Sequence, residues 1–321
     1  MSQLAVSTLG IDTLVEFLEE HNCIFRDKND FKAKITKMLL GGPDKLFCIS
    51  DFDFTLSKYF RDDGTRADSC HASLENAPPG FLPDSYRSQA KALQSFYYPL
   101  EIDTTISDAD KFRYMEEWVE KHNALLVESK ITSNAIRVIV SKALADRRLI
   151  LRQDTNALVS ILEQNRIPML IFSAGIADVV EVALLESLGV ARLPSNISLI
   201  SNKCIFQEPS DDTSPLISWS RPYLHILNKR AAAFIDHDFF RGVKSSERCN
   251  LLLFGDSMGD PRMAIGIEDV CDTIVKIGFL NVLVEERREE FLGEYDVAIL
   301  GDPELTTCII PLLQLIIIQL R

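Results

Sequence analysis

The chain has 321 residues, 46% hydrophobic and 25% charged, a balance that excludes a disordered, collagenous or coiled-coil protein and is long enough for about two domains. With 34 Lys and Arg against 47 Asp and Glu the formal charge is −13, which sets the molecule's field against nucleic acid and anionic membranes. An anionic substrate would therefore need local positive charge from a lysine, an arginine or a metal ion. Seven scattered cysteines without a CxxC pair suggest neither a disulfide framework nor a zinc site, and point to a reducing, cytoplasmic setting. The N-terminus lacks the basic and apolar pattern of a secretion signal.

In chain order, Ile11–Leu40 has helical periodicity interrupted by the polar run RDKND, which predicts two short helices. Leu46–Ile49 is a continuous apolar run of the kind that forms a parallel strand buried on both faces, and it ends in SDFDFTLS. Residues 60–85 are polar and rich in Gly and Pro, and read as loop. From Ser85 to Gln164 the spacing predicts four helices, Tyr86–Phe96, Asp108–His122, Thr132–Ala145 and Gln153–Gln164, with no strand pattern. Strand-like runs return at Met169–Phe172, Ile197–Ser201, Leu251–Phe254 and Asp296–Leu300, with helical segments between them, the first at Ile176–Leu188. The apolar stretch Cys308–Leu320 is too short for a membrane span, is interrupted by Pro311, and reads as a helix in the core. The alternation predicts an α/β fold, a doubly wound parallel sheet with an inserted all-helical cap. The expected units are N-terminal helices over 1–45, a core of 46–60 and 166–321, and a cap of 61–165.

Three of the strands end in polar clusters. Ligands of open parallel sheets bind at the carboxyl ends of the strands, so the clusters can share one crevice. In Ser50-Asp51-Phe52-Asp53-Phe54-Thr55, Asp51 is placed to attack phosphorus as a carboxylate nucleophile and Asp53 to do acid/base work, although an Asp-rich turn would carry the same letters. Ser173-Ala174-Gly175 reads as a strand end opening a helix, either an anion site or a simple N-cap. Asp256 and Asp260, four apart, offer oxygen-only ligands that suit Mg²⁺.

Together ISDFDFTLS, IFSAGIADV, the lysine of HILNK and LLFGDSMGDPRMAIG resemble the four ordered motifs of the haloacid dehalogenase superfamily. With Cys70-His71, YYPLEID, MEEW and KIGFLN added, the chain is similar to the cytosolic pyrimidine 5′-nucleotidases and their 7-methylguanosine-monophosphate-preferring members, from about residue 10 onward. The resemblance implies a Mg²⁺-dependent 5′-nucleotidase forming an aspartyl-phosphate on Asp51. Asp53 would be its acid/base group with its main-chain carbonyl on the metal, and Asp256 the third ligand. Ser173, Ala174 and Gly175 would hold the phosphoryl oxygens, Lys229 would bridge phosphoryl group and Asp51, and Asp260 would support Lys229 or a metal-bound water. Glu101 would read the base, with His71 and Trp118 lining the same pocket. The implied partner is a nucleoside 5′-monophosphate, acted on by a monomer, with no nucleic acid polymer or membrane. A phosphatase for another small phosphoester and a silent nucleotide-binding protein are the alternatives. The loop 61–81 and the segment Ser201–Ser218 depart from the family pattern, the latter where a regular hairpin is expected.

Overall fold

The computed structural model describes residues 10–103, 105–208 and 211–318. The end of the apolar C-terminal stretch, including Leu320, lies outside them. Its centre is a seven-stranded sheet of β1 (Cys23–Phe25), β2 (Leu46–Ser50), β3 (Met169–Ile176), β4 (Ile197–Asn202), β7 (Asn250–Gly255), β8 (Thr273–Leu280) and β9 (Val297–Leu300), in the order β1-β9-β8-β7-β2-β3-β4. Every pair is parallel except β1 with β9. From β2 the chain builds outward to β3 and β4, then returns to β7 on the other side and continues to β8 and β9. The winding thus reverses between β2 and β7, where Ser50 pairs with Phe254 and the Asp51 N–H donates to the Phe254 carbonyl at 3.0 Å. A crevice opens beyond the carboxyl ends of strands at such a reversal.

Both faces of the sheet are covered. Cys48, Ile171, Phe254 and Phe279 pack with α1 (Ile11–Glu20), α2 (Lys28–Gly41), α7 (Thr155–Gln164), α8 (Ala177–Leu188) and α11 (Ile309–Ile318). The alternate residues Phe47, Ile49, Leu170, Phe172 and Leu253 pack with α9 (Asp238–Ser245), and Leu280 and Ala298 with Phe291 of α10 (Val284–Glu294) and Tyr295. Each of these buried phenylalanines stabilises the fold by roughly 1.5–3 kcal/mol. Burial on both sides is why the strands read as unbroken apolar runs.

The structure corrects several expectations. Residues 60–85 are not all loop: Ser69, whose hydroxyl accepts from the Ala72 N–H, caps α3 (Cys70–Glu75). Strands β1 and β8 escaped the sequence reading. Segment 201–218 does form a hairpin, β5 (Cys204–Phe206) antiparallel to β6 (Leu216–Trp219), with Cys204 opposite Trp219. Among the described residues between β2 and β3 there are five helices and only isolated bridges. Of these, α4 (Asp84–Ile102) and α5 (Asp108–Glu128) pack on each other, while α6 (Ser133–Ala145) and α7 lie against α8. Ser107 and Thr132 cap α5 and α6.

Candidate active site

Asp51 follows β2 at the sheet's reversal point, and Asp256 follows β7 beside it. Carboxylate oxygens of Asp51, Asp256 and Asp260 lie within 4.8 Å of one another. Lys229, which is buried, comes from the segment between the hairpin and α9, and its Nζ stands 2.5 Å from Asp51 Oδ1 and 2.6 Å from Asp260 Oδ1. Asp260 also turns back on its own loop: its Oδ2 accepts from the N–H groups of Asp256 and Ser257 at 3.0 and 2.9 Å and from the Ser257 hydroxyl at 2.8 Å. Its oxygens are occupied, which fits a support for Lys229 better than a metal ligand. Gly255 is required at the end of β7, because a Cβ there would stand 2.3 Å from the Asp260 Cβ.

Burial penalises the ionised form of these acids. It raises Asp51 to about 7, against the pull of Lys229 and with the push of Asp260 and Asp53. It raises Asp256 well above the usual carboxylate range, with Asp260 and Asp51 adding to the effect. For Lys229 burial acts to lower the pKa, but Asp260 and Asp51 outweigh it and the ammonium is held charged. One buried ammonium thus faces more carboxylates than it can neutralise, and the Asp256 carboxylate has no hydrogen-bond partner among the described residues. Oxygen-only donors with unmet negative charge fit a hard divalent cation.

Asp53 stands apart from this cluster. Its Oδ1 accepts from the Cys70 N–H at 2.9 Å, at the start of α3, and burial raises its carboxyl to about 6 against that hydrogen bond. The next segment corrects the sequence reading: Ser173, Ala174 and Gly175 lie inside β3, which runs to Ile176, and α8 begins only at Ala177. The register with β4 shifts between Phe172 and Ile176, so the segment is an irregular strand end rather than a helix opening. The Gly175 N–H donates to Ser173 Oγ at 3.0 Å, and Asn202 and Ser201 hold the carbonyls of Ala174 and Gly175 at 2.9 and 2.8 Å. A Cβ at Gly175 would sit 2.8 Å from Cys70 Sγ, so α3 can approach only a glycine here.

Glu101 lies in the last turn of α4. Burial raises its carboxyl to about 7, against the charges of Lys111 and Arg66, and it has no hydrogen-bond partner among the described residues. Trp118 of α5 stacks on Tyr97 of α4 with centroids 5.9 Å apart and planes 14° apart. The His71 ring meets His122 edge-on at 4.6 Å; burial, then His122, lowers its pKa to about 3, and its Nδ1 has no partner. Arg66 escaped the sequence reading. Its guanidinium lies over the rings of Phe54 and Tyr59, 4.9 and 5.3 Å from their centroids, and its charge acts on both Asp53 and Glu101. The aromatic platform was the available signal, but Phe54 and Tyr59 are brought under Arg66 only by the fold.

A profile of the pyrimidine 5′-nucleotidase family (UMPH-1) matches residues 54–317. The chain belongs to this family. As a pyrimidine 5′-nucleotidase family member it is a phosphoric monoester hydrolase, as its resemblance to the haloacid dehalogenase phosphohydrolases implied. It is 37% identical over 280 residues to the 7-methylguanosine phosphate-specific 5′-nucleotidase A of Xenopus laevis, covering 87% of this chain and 91% of that one. It is 30% identical over 291 residues to the putative cytosolic 5′-nucleotidase 3 of Caenorhabditis elegans, covering 90% and 74%. The crystal structure of cytosolic 5′-nucleotidase IIIB bound to cytidine matches with a TM-score of 0.83 at 28% identity, over 96% of this chain and 97% of that one. That agreement extends over core and insertion alike. Among the described residues no helix is long and apolar enough to cross a membrane.

Proposed function

We propose that this family member hydrolyses nucleoside 5′-monophosphates in the cytosol through an aspartyl-phosphate on Asp51, with Mg²⁺ as cofactor. The observation that carries the reading is the Lys229 ammonium shared between Asp51 and Asp260 beside the unpartnered Asp256. Asp51 and Asp256, with the Asp53 main-chain carbonyl, would hold Mg²⁺, whose charge lets a phosphoryl dianion approach a carboxylate. An Asp51 oxygen attacks phosphorus as the bond to the 5′ oxygen breaks. Asp53 gives its proton to that oxygen and releases the nucleoside, a role suited to a carboxyl raised to about 6. The resulting Asp53 carboxylate takes a proton from water, whose oxygen attacks the aspartyl-phosphate; phosphate leaves and Asp51 is restored. Lys229 and the Ser173–Gly175 segment balance charge on the phosphoryl oxygens. All these groups come from one chain, so a monomer suffices.

For the base, Glu101 supports a ring that offers N–H donors or a positive charge, with Trp118 and His71 along the same pocket. A desolvated, unpartnered carboxylate is the complement of cytosine or of the cationic 7-methylguanine ring. The names of the Xenopus relative and of the cytidine-bound neighbour support the same two bases. The cytosolic setting is supported by seven free cysteines and by the name of the Caenorhabditis relative. The test is phosphate release from CMP, UMP, 7-methyl-GMP, ribose 5-phosphate and p-nitrophenyl phosphate, with Mg²⁺ and with chelator. Turnover of the nucleotides that stops in chelator and returns with Mg²⁺ is expected. Turnover undiminished by chelation, or a sugar phosphate preferred over every nucleotide, overturns the reading.

A further inference from the structure

Phe54, next after Asp53, is buried and has its backbone in the left-handed region, at φ 62°. A bulky residue held there is strained, so its surroundings must impose the conformation. Its N–H donates to Ser57 Oγ at 2.8 Å. Its carbonyl accepts from Arg152 Nη2 at 2.9 Å and from Asn281 Nδ2 at 3.1 Å. Arg152 lies just before α7 and Asn281 just after β8, so two distant parts of the chain close on one carbonyl.

Arg152 is itself fully committed. It is 1% exposed, its Nε donates to the Thr55 carbonyl at 2.7 Å, and an Nη2 hydrogen bond of 3.1 Å joins it to Asn281 Oδ1. It also donates to the Pro303 carbonyl, pairs with Asp302 Oδ1 at 2.7 Å, and lies 3.9 Å over the Phe279 ring. A buried ion is a weak device for stability, because apolar packing of the same volume avoids its desolvation. What a rigid guanidinium adds is direction, here toward successive carbonyls of the loop that carries Asp53.

We infer that Arg152 and Asn281 are positioning residues that hold the Phe54 peptide and so aim the Asp53 carboxyl. The inference rests on the reading of Asp53 as the acid/base group. The carboxyl accepts from the Cys70 N–H, and the clamp fixes the residue that follows Asp53, with its carbonyl held by Arg152 and Asn281 and its N–H by Ser57 Oγ.

Asn281→Ala removes one donor to the Phe54 carbonyl and one acceptor of Arg152 Nη2, while Arg152 keeps its bonds to the carbonyls of Phe54, Thr55 and Pro303, so it is milder than any change of Arg152. With p-nitrophenyl phosphate the leaving group needs little protonation, so formation of the phosphoenzyme continues. Its hydrolysis, in which Asp53 must accept a proton from water, slows. Steady-state kcat and acid-quenched phosphoenzyme per folded site are measured for wild type, Asn281→Ala and Asp53→Asn, with thermal unfolding to count folded protein. Asn281→Ala is expected to lose about tenfold in kcat and to accumulate phosphoenzyme above the wild-type level, in the direction of Asp53→Asn. An unchanged kcat, or a lower kcat without accumulation, overturns the positioning role. If Asp53→Asn itself accumulates no phosphoenzyme, the covalent reading has failed instead, which separates the two failures.

Discussion

The Cys70 N–H donates to Asp53 Oδ1 at 2.9 Å, and through this bond the first helix of the insertion touches the acid that follows β2. Cys70 Sγ also packs on Gly175, so α3 is fitted to two of the three strand ends that form the crevice.

Gly175→Ala should therefore act through α3. The new Cβ would lie 2.8 Å from Cys70 Sγ and 3.0 Å from its Cβ, a clash expected to cost about 1–3 kcal/mol and to lower kcat as Asp53 loses its N–H partner. Adding Cys70→Ala removes the sulfur contact and should recover part of both losses. Urea unfolding and phosphate release on the two single variants and the double measure the coupling; purely additive effects would place the damage elsewhere.

Lys229→Met leaves Asp51 and Asp260 buried without their shared ammonium. Removing one partner of a buried ion pair costs on the order of 3–5 kcal/mol, and turnover should vanish. Without the ammonium the Asp51 carboxyl is pushed above its wild-type value of about 7, so the stability loss should grow as pH rises through 7 and be smaller in acid, where Asp51 is protonated in both proteins. A loss that does not grow between pH 6 and pH 8 would contradict this account.

Mg²⁺ should raise the melting temperature, because a ligand held by the folded state alone stabilises it by mass action. Asp256→Asn should abolish the shift while keeping a folded protein, since an amide is a poorer cation ligand. A shift of equal size in Asp256→Asn would remove Asp256 from the proposed metal site. The readout needs no substrate.

Glu101 gives a pH-dependent stability of known sign. Its folded-state pKa is raised from 4.5 to about 7, so its favourable contribution is fully present below 4.5 and is lost as pH rises through 7. Glu101→Gln lacks that loss. Relative to wild type, the variant should gain stability between pH 4.5 and 7 and hold the gain above pH 7. On turnover, Glu101→Ala should lower kcat/KM about 10- to 100-fold for the preferred nucleotide and leave p-nitrophenyl phosphate nearly unchanged.

The strands and acids nearest the sheet's reversal point were legible because burial on both faces leaves a continuous apolar run, and such a run ending in SDFDFT or GDSMGD marks its own boundary. Strand β8 hid behind Lys276 and Gly278, which break the apolar pattern although the strand is central. Helix α3 hid because six residues between polar segments have no measurable periodicity; its existence depends on the Ser69 cap and on packing beneath Gly175. The extension of β3 through Ser173–Ile176 was misread as a helix opening because its irregular pairing is set by β4, a partner more than twenty residues away. Arg152 sits in LILRQD with nothing local to separate it from a surface arginine, since its acceptors lie near residues 54, 281 and 302.

Asp260 joins the two ends of the charged cluster as a strut: one oxygen sets the height of the Lys229 ammonium, and the other sets the curl of the loop that presents Asp256. A shift of either end is felt at the other, so the charge-bearing groups form a unit that cannot be retuned one at a time. Glu101 of α4 and Trp118 of α5 carry no such bond to it among the described residues. On the function proposed above, base preference is accordingly free to drift while the phosphoryl chemistry stays locked.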